Sequence, residues 1–267
     1  MEEVEALLKA VREGTVTPHE AAEALRTGHL PGGHHARLDF RRGERTGLPE
    51  IILGEGKSVP NLRDILRGLR KTGQGAVLSR LTDPQIRWLR GHPVPGLTWK
   101  RIARMATVPG SRPHEPLRGR TAAILTAGTV DVPVAEEART VLEFMGAKVV
   151  VAYDVGVAGL HRLGVALEEI EQADAMVYVV CAGREGALPT VVAGLIDRPV
   201  VGVPTSSGYG RGAQGEAALT AMLQSCAPIA VVNIDGGVPA ALVAAQILRG
   251  FPAKGPAGGA PRRKRRS

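Results

Sequence analysis

From Thr121 onward, short apolar runs alternate with amphipathic segments in an unbroken series. The runs lie at 121–125, 148–152, 175–180, 199–203 and 229–234. Helical periodicity falls between and after them, at 134–145, 157–172, 188–195, 212–225 and 239–248. Each run is apolar almost throughout instead of alternating with polar residues, as expected for strands buried on both faces. A helix between successive strands favours right-handed parallel crossovers. The pattern therefore predicts an α/β fold, a three-layer sandwich with a parallel sheet. Aromatic residues make up only 3% of the chain, so its core must be built from Val, Leu, Ile and Ala.

The first 118 residues read differently. Segments 2–13 and 18–26 are short helices, the second started by Thr17 as cap and Pro18 in the first position. A Gly-, Arg- and His-dense stretch follows, then a strand at 50–53, a helix at 60–71 with Leu62, Ile65, Leu66 and Leu69 on one face, a weak strand at 76–78 and a helical turn at 84–90. A connector rich in Pro, Arg and His spans about 107–118. The resulting division is a smaller mixed α+β N-terminal domain at 1–118, the α/β domain at 119–250 and a tail at 251–267.

The net charge of +8 invites a nucleic-acid reading, but it is concentrated in the tail. Lys254, Arg262, Arg263, Lys264, Arg265 and Arg266 occur there without an acid, and removing them leaves about +2. Such a run reads as a disordered, solvated tail. It lacks the aromatic platform of a single-strand binder, so nucleic acid is not the expected partner. Two cysteines make no disulfide framework. The sequence shows neither a stretch of about 18 apolar residues nor a signal-peptide pattern. A cytoplasmic protein without membrane attachment is the expectation.

Four post-strand loops are dense in small residues: 126–131, 153–159, 181–189 and 204–212. In a parallel sheet they open on the same edge, where ligands collect, and their backbone N–H groups suit phosphate. This makes Gly128, Thr129, Asp131, Asp154, Gly183, Gly208 and Gly210 candidate substrate-binding residues. Asp131 also reads as a helix cap, and Asp154 as a turn former. Glu185, set among glycines and alanines, is a candidate proton carrier or the partner of Arg184 or Arg211. Cys226 reads either as a small residue packed at a helix end or as a thiolate nucleophile. Cys181 reads as core. The histidines have no metal spacing, and no metal site is expected.

The 121–234 segment resembles the aminoimidazole ribonucleotide carboxylase/mutase fold. Gly128-Thr129-Val130-Asp131 matches that family's Gly-Ser-x-Ser-Asp loop, and 182–189 its Gly-Gly-x-Ala-His-Leu-Pro-Gly stretch. However, Ala152-Tyr153-Asp154-Val155 replaces its Ser-Ala-His-Arg loop, and Ala187 stands where its second histidine belongs. The chain over residues 1–250 is more closely similar to the LarB family of pyridinium-3,5-biscarboxylic acid mononucleotide synthases. That likeness rests on 38–45, Gly47-Leu48-Pro49-Glu50, Gly54-Glu55-Gly56-Lys57, 126–137, Glu185-Gly186-Ala187-Leu188-Pro189, 204–210, and Leu223-Gln224-Ser225-Cys226 leading to Val232-Asn233-Ile234-Asp235.

The resemblance implies an enzyme of nickel-pincer cofactor biosynthesis. It would carboxylate nicotinic acid adenine dinucleotide at pyridinium C5 and hydrolyse the phosphoanhydride to release AMP. CO2 or bicarbonate is the co-substrate, no cofactor is tightly bound, and a role for Mg2+ stays open. By resemblance Cys226 is the nucleophile toward C4 and Glu185 the active-site glutamate. A homo-oligomer, octamer-like, is implied as well. Two rivals are a purine-type carboxylase or mutase, and a non-catalytic nucleotide-binding protein with an RNA-contacting tail. The cluster Arg41, Arg42, Arg45 and Lys57 reads as reaching the adenylate end, a neighbouring subunit, or only its own packing.

Overall fold

The computed structural model describes residues 2–27, 29–31, 37–39, 42–111, 115–208 and 210–253. The basic tail from Lys254 and the guanidinium of Arg41 lie outside the described residues.

The chain opens with α1 (Glu2–Arg12) and α2 (Pro18–Thr27), which close on each other through Leu7, Ala10, Val16, Ala21 and Ala24. A short antiparallel pair, β1 (His29–Pro31) and β2 (Arg37–Asp39), leads to α3 (Arg42–Thr46) and β3 (Glu50–Leu53). Ser58 caps α4 (Val59–Thr72) by accepting from the Asn61 N–H at 3.3 Å, and Gly73 ends it in the left-handed conformation at φ 66°. Next come β4 (Ala76–Ser79), α5 (Asp83–Gly91), β5 (Thr98–Lys100) and β6 (Met105–Val108). These form a four-stranded sheet in the order β3-β4-β6-β5, parallel between β3 and β4 and antiparallel elsewhere.

The parallel sheet is built from β7 (Thr121–Thr126), β8 (Lys148–Ala152), β9 (Val177–Ala182), β10 (Val200–Pro204) and β11 (Ile229–Val231). Between and after them run α6 (Val132–Phe144), α7 (Leu160–Gln172), α8 (Leu188–Leu195), α9 (Glu216–Leu223) and α10 (Gly237–Arg249). All four neighbouring pairs are parallel, in the order β11-β10-β9-β7-β8. Helices α6 and α10 cover one face, and α7, α8 and α9 the other. The three-layer α/β sandwich expected from the sequence is present.

Small side chains set the packing on the first face. Ala135 and Ala138 of α6 meet Ala240, Ala241, Ala244 and Ala245 of α10, all fully buried. The two sheets also share this core. Val77 of β4 and Met105 of β6 join Val141, Leu142 and Met145 around α6. Their neighbours Ala76, Leu78 and Ala106 point the opposite way, into a core with Leu62, Ile65, Leu66 and Leu69 of α4. Helix α6 is therefore packed between two sheets.

Several boundaries differ from the sequence reading. Strands β5 and β6 have no counterpart in the sequence pattern. They are three and four residues long, too short to show a period, and β6 runs into the supposed 107–118 connector. The last strand stops at Val231 instead of 234, and the chain then turns, the Gly236 N–H donating to the Asn233 carbonyl at 3.0 Å. Tight 3-10 turns at Val157–Gly159 and Gly210–Gly215 delay the starts of α7 and α9.

Because Met105 is fully buried in the shared core, Met105→Ala should destabilise the whole chain by roughly 2–5 kcal/mol. Trp88 and Trp99 both lie in the N-terminal half. Tryptophan fluorescence and far-UV circular dichroism should report one coincident denaturant transition for this variant. Earlier loss of the fluorescence signal alone would contradict a shared core.

Candidate active site

The strand order places β7 and β9 side by side, with the connections leaving them on opposite faces of the sheet: α6 on one, α8 on the other. That is the topological switch point of a doubly wound sheet, where a crevice opens at the carboxyl ends of the strands. The loop after β7 is fastened there. Ala127 N–H donates to the Cys181 carbonyl at the end of β9, at 2.9 Å.

Asp131 is the hub of this crevice. It is 2% exposed. Its Oδ2 accepts from the Gly128 N–H at 2.9 Å. Its Oδ1 accepts from Thr205 Oγ1 at 2.5 Å and Ser207 Oγ at 2.8 Å. Asp131 thus closes its own turn and ties it to the loop after β10. It makes no side-chain cap on α6, so the cap expected from the sequence is replaced by a bond back to Gly128. Gly183, after β9, packs against the same hydroxyls. A Cβ there would lie 2.2 Å from Ser207 Oγ and 2.8 Å from Thr205 Oγ1. On the far side of this loop, Asp235 Oδ1 accepts from the Ser206 N–H at 2.9 Å.

Three sequence-predicted elements, Gly128-Thr129-Asp131, Gly183 and the 205–208 loop, are therefore brought together. Thr129 is exposed above them. Gly208 lies under the 212 backbone, where a Cβ would meet the Gly212 carbonyl at 2.2 Å. Gly210 stands in open space at φ 64°. Asp154 sits in a left-handed turn at φ 58° and pairs with Arg162 at 2.7 Å, while its own N–H donates to Thr126 Oγ1 at 3.0 Å. The turn-former reading describes it.

Glu185 is exposed on the 183–187 loop at the carboxyl edge. Cys226 is also exposed, but it occupies the connection entering β11, whose first residue Ile229 pairs with Val200 at the start of β10. It therefore lies at the amino edge of the sheet, and a single chain does not bring Cys226 and Glu185 together. Cys181 is fully buried, as its core reading requires, and burial raises its thiol well above the ordinary value. The basic cluster of the N-terminal half is paired locally: Arg45 with Asp39, and Arg42 with Glu50 at 3.8 Å. Among the described residues, no three His, Cys, Asp or Glu side chains are grouped to hold a metal ion.

Two groups to which the sequence assigns no individual role stand beside the crevice. Glu137 of α6 is 9% exposed, and burial pushes its carboxyl up to about 7, against the opposing pull of Arg80 and of a hydrogen bond from the Val238 N–H at the start of α10. Arg80 comes from the N-terminal half. Its Nη2 donates to the Asp235 carbonyl at 2.9 Å, and its Nε lies 3.9 Å from Glu137 Oε1. The available signal was an acid within the apolar stripe of Val134, Ala138 and Val141. A second network fastens the two halves on the other side of α6. Lys100 Nζ donates to Glu143 at 2.9 Å, Arg139 bridges Glu143 and Glu136, and the Tyr153 hydroxyl donates to Glu136. Burial favours a neutral Glu143, but the bonds from Lys100 and Arg139 outweigh it and hold this carboxyl below its ordinary range.

A family model described as a LarB/PurE-like N-terminal domain matches residues 32–110, and one described as AIR carboxylase matches residues 121–253. The uncharacterized protein MJ0165 of Methanocaldococcus jannaschii is 37% identical over 254 residues, covering 91% of this chain and 96% of that one. The chain belongs to the LarB family. Like that family, it carries an AIR-carboxylase-type domain behind its N-terminal half. The N5-carboxyaminoimidazole ribonucleotide mutases of M. jannaschii and Pyrococcus horikoshii are each 35% identical, over 128 and 131 residues. These matches cover 47% of this LarB-family chain, and 76% and 70% of the mutases. The chain is an enzyme of the carboxylase/mutase type. No helix among the described residues is long and apolar enough to cross a membrane.

Glu137 gives this LarB-family fold a defined pH dependence. An unfolded glutamate titrates near 4.5 and the folded one near 7. Between these values the folded chain holds a proton that the unfolded chain has released, so this group's contribution makes stability fall as pH rises. The advantage of Glu137→Gln over the wild type should grow by on the order of 3 kcal/mol across that window and level off above it. Denaturation curves at several pH values check this, and a pH-independent difference would contradict the assignment.

Proposed function

We propose that the chain carboxylates the pyridinium ring of nicotinic acid adenine dinucleotide at C5 and cleaves its phosphoanhydride to release AMP, as a step of nickel-pincer cofactor assembly. The observation that carries this reading is the switch-point crevice locked by Asp131. It lies in a chain whose two halves match the LarB-type N-terminal model and the AIR carboxylase model. The loops there have the small residues and backbone donors that suit a mononucleotide phosphate.

The residue types fit the chemistry. A pyridinium is electron-poor, so its C5 does not attack CO2. Addition of the Cys226 thiolate to C4 forms a C–S bond and turns the ring into an enamine nucleophilic at C5. That carbon attacks CO2. Glu185 accepts the C5 proton, the C–S bond breaks, and the thiolate leaves as the aromatic cation returns. Water cleaves the phosphoanhydride. Thiolate is suited to both ends of this sequence because it is a good nucleophile and a good leaving group.

Cys226 and Glu185 sit at opposite sheet edges in one chain, so this mechanism requires a homo-oligomer in which Cys226 of one copy meets Glu185 of another. The exposed apolar side chains Leu160, Val165, Leu195 and Leu223 on the α7–α9 face support such an assembly.

Incubation with the dinucleotide and bicarbonate, followed by mass analysis, should yield AMP and a dicarboxylated pyridinium mononucleotide. Turnover of an aminoimidazole ribonucleotide instead would overturn the reading in favour of purine chemistry. Cys226→Ala and Glu185→Gln should each abolish carboxylation. Co-expressing the two inactive variants should restore about a quarter of the wild-type rate, the share of shared sites with both groups intact. Absence of any recovery would contradict a site shared between copies.

A further inference from the structure

A threonine inside a helix commonly returns its hydroxyl to the carbonyl four residues earlier. Thr46, Thr72 and Thr140 do so, donating to the carbonyls of Arg42, Gly68 and Glu136. Thr190, in the first turn of α8, instead donates to Ser225 Oγ at 2.8 Å. The bond crosses from α8 to the segment that follows α9, and both hydroxyls are partly buried.

Ser225 has its full set of partners. Its Oγ accepts from Thr190 and from the Ala227 N–H at 3.1 Å, and donates to the Ala227 carbonyl at 3.1 Å. The one hydrogen and both lone pairs of the hydroxyl are thereby used. Both backbone groups of Ala227 are held by the residue two positions earlier, and the residue enclosed between them is Cys226. The ring of Pro228 fixes φ at the next step, and β11 begins directly after it at Ile229. The exposed thiol of Cys226 therefore stands on a turn with a constrained backbone.

Thr190 is a firm anchor because α8 is itself seated against α9. Gly186, at φ 64°, leads into α8 where a Cβ would lie 2.7 Å from the Ala218 carbonyl of α9. Pro189 and Met222 then close over Gly202 of β10, where a Cβ would lie 3.4 Å from Pro189 Cβ and 3.2 Å from Met222 Sδ. Leu188, Val192, Ala218 and Met222 share one core. Thr190 and Ser225 come shortly after Pro189 and Met222, as both helices run toward the amino edge of the sheet.

We propose that Thr190 is a positioning residue for Cys226: through the Ser225 hydroxyl it fixes the turn from which the sulfur reaches the pyridinium held by a neighbouring copy. The assignment rests on the carboxylation reading above. Bond formation needs the sulfur within about 3–3.5 Å of the ring carbon and correctly oriented. A side chain on a loose surface turn meets that condition only a small part of the time.

The test uses the full chain. Cys181, the second of the two cysteines, is fully buried, so a thiosulfonate nitroxide labels Cys226. Thr190→Val keeps the side-chain shape and removes the donor. It should raise the mobility of the nitroxide, read as narrower EPR lines. In the unlabelled chain it should lower kcat with the dinucleotide and bicarbonate by about tenfold or more at unchanged KM. Thr190→Ser keeps the donor and should restore both. Because Thr190 acts through Ser225, Thr190→Val should add nothing to the effect of Ser225→Ala. Unchanged label mobility in Thr190→Val, additive effects of the two substitutions, or a lower melting temperature with kcat unchanged would each overturn the assignment. Label mobility that responds to Thr190 in a chain that does not carboxylate the dinucleotide would support the hold on Cys226 and remove the reaction.

Discussion

The carboxylate of Asp131 determines the shape of the crevice. A charge taken out of water is tolerated only when it is fully hydrogen-bonded. Here the donors are the Gly128 N–H and the hydroxyls of Thr205 and Ser207, drawn from loops that follow β7 and β10. Gly183 is packed beneath the same hydroxyls, so the loop after β9 is positioned with them. Asp235 holds the Ser206 N–H from the opposite side. Arg80 bonds the Asp235 carbonyl, so the lock extends into the N-terminal half.

The parallel sheet was legible because buried parallel strands leave an uninterrupted apolar signature. The position of the crevice was legible because strand-end loops in such a sheet must share an edge. Asp131 was identified as a candidate, but its role was not. Whether a carboxylate caps a helix, meets a ligand or ties two loops depends on what stands 74 residues away, at Thr205. Strands β5 and β6 gave too few residues for a period. Arg80 is ordinary in its own segment, and the one sign of Glu137, an acid within the apolar stripe of α6, gains its meaning only when α6 is enclosed between two sheets.

That enclosure also changes the meaning of the N-terminal half. The sequence suggests a preceding domain of separate character. The structure joins it to the carboxylase-type sheet through a common core of Val77, Met105, Val141 and Leu142, and through the Lys100–Glu143–Arg139 network. The N-terminal half is therefore packed against α6, whose first turn also borders the crevice. A relative identical at 37% over nearly its whole length has both halves, whereas the mutase relatives match only the second. The N-terminal half is what this chain carries beyond the segment it shares with the mutases.

The most direct measurement replaces Asp131 by Asn in the full chain and follows two quantities together: amide hydrogen exchange in the 205–208 loop and affinity for nicotinic acid mononucleotide. Asparagine keeps one oxygen acceptor and sets an NH2 group where the other stood, so either the Gly128 N–H or the Thr205 and Ser207 hydroxyls lose their acceptor. The account predicts faster exchange in that loop and binding weaker by about tenfold or more, with little change in the N-terminal sheet. Unchanged exchange and undiminished binding would contradict the claim that this carboxylate builds the site.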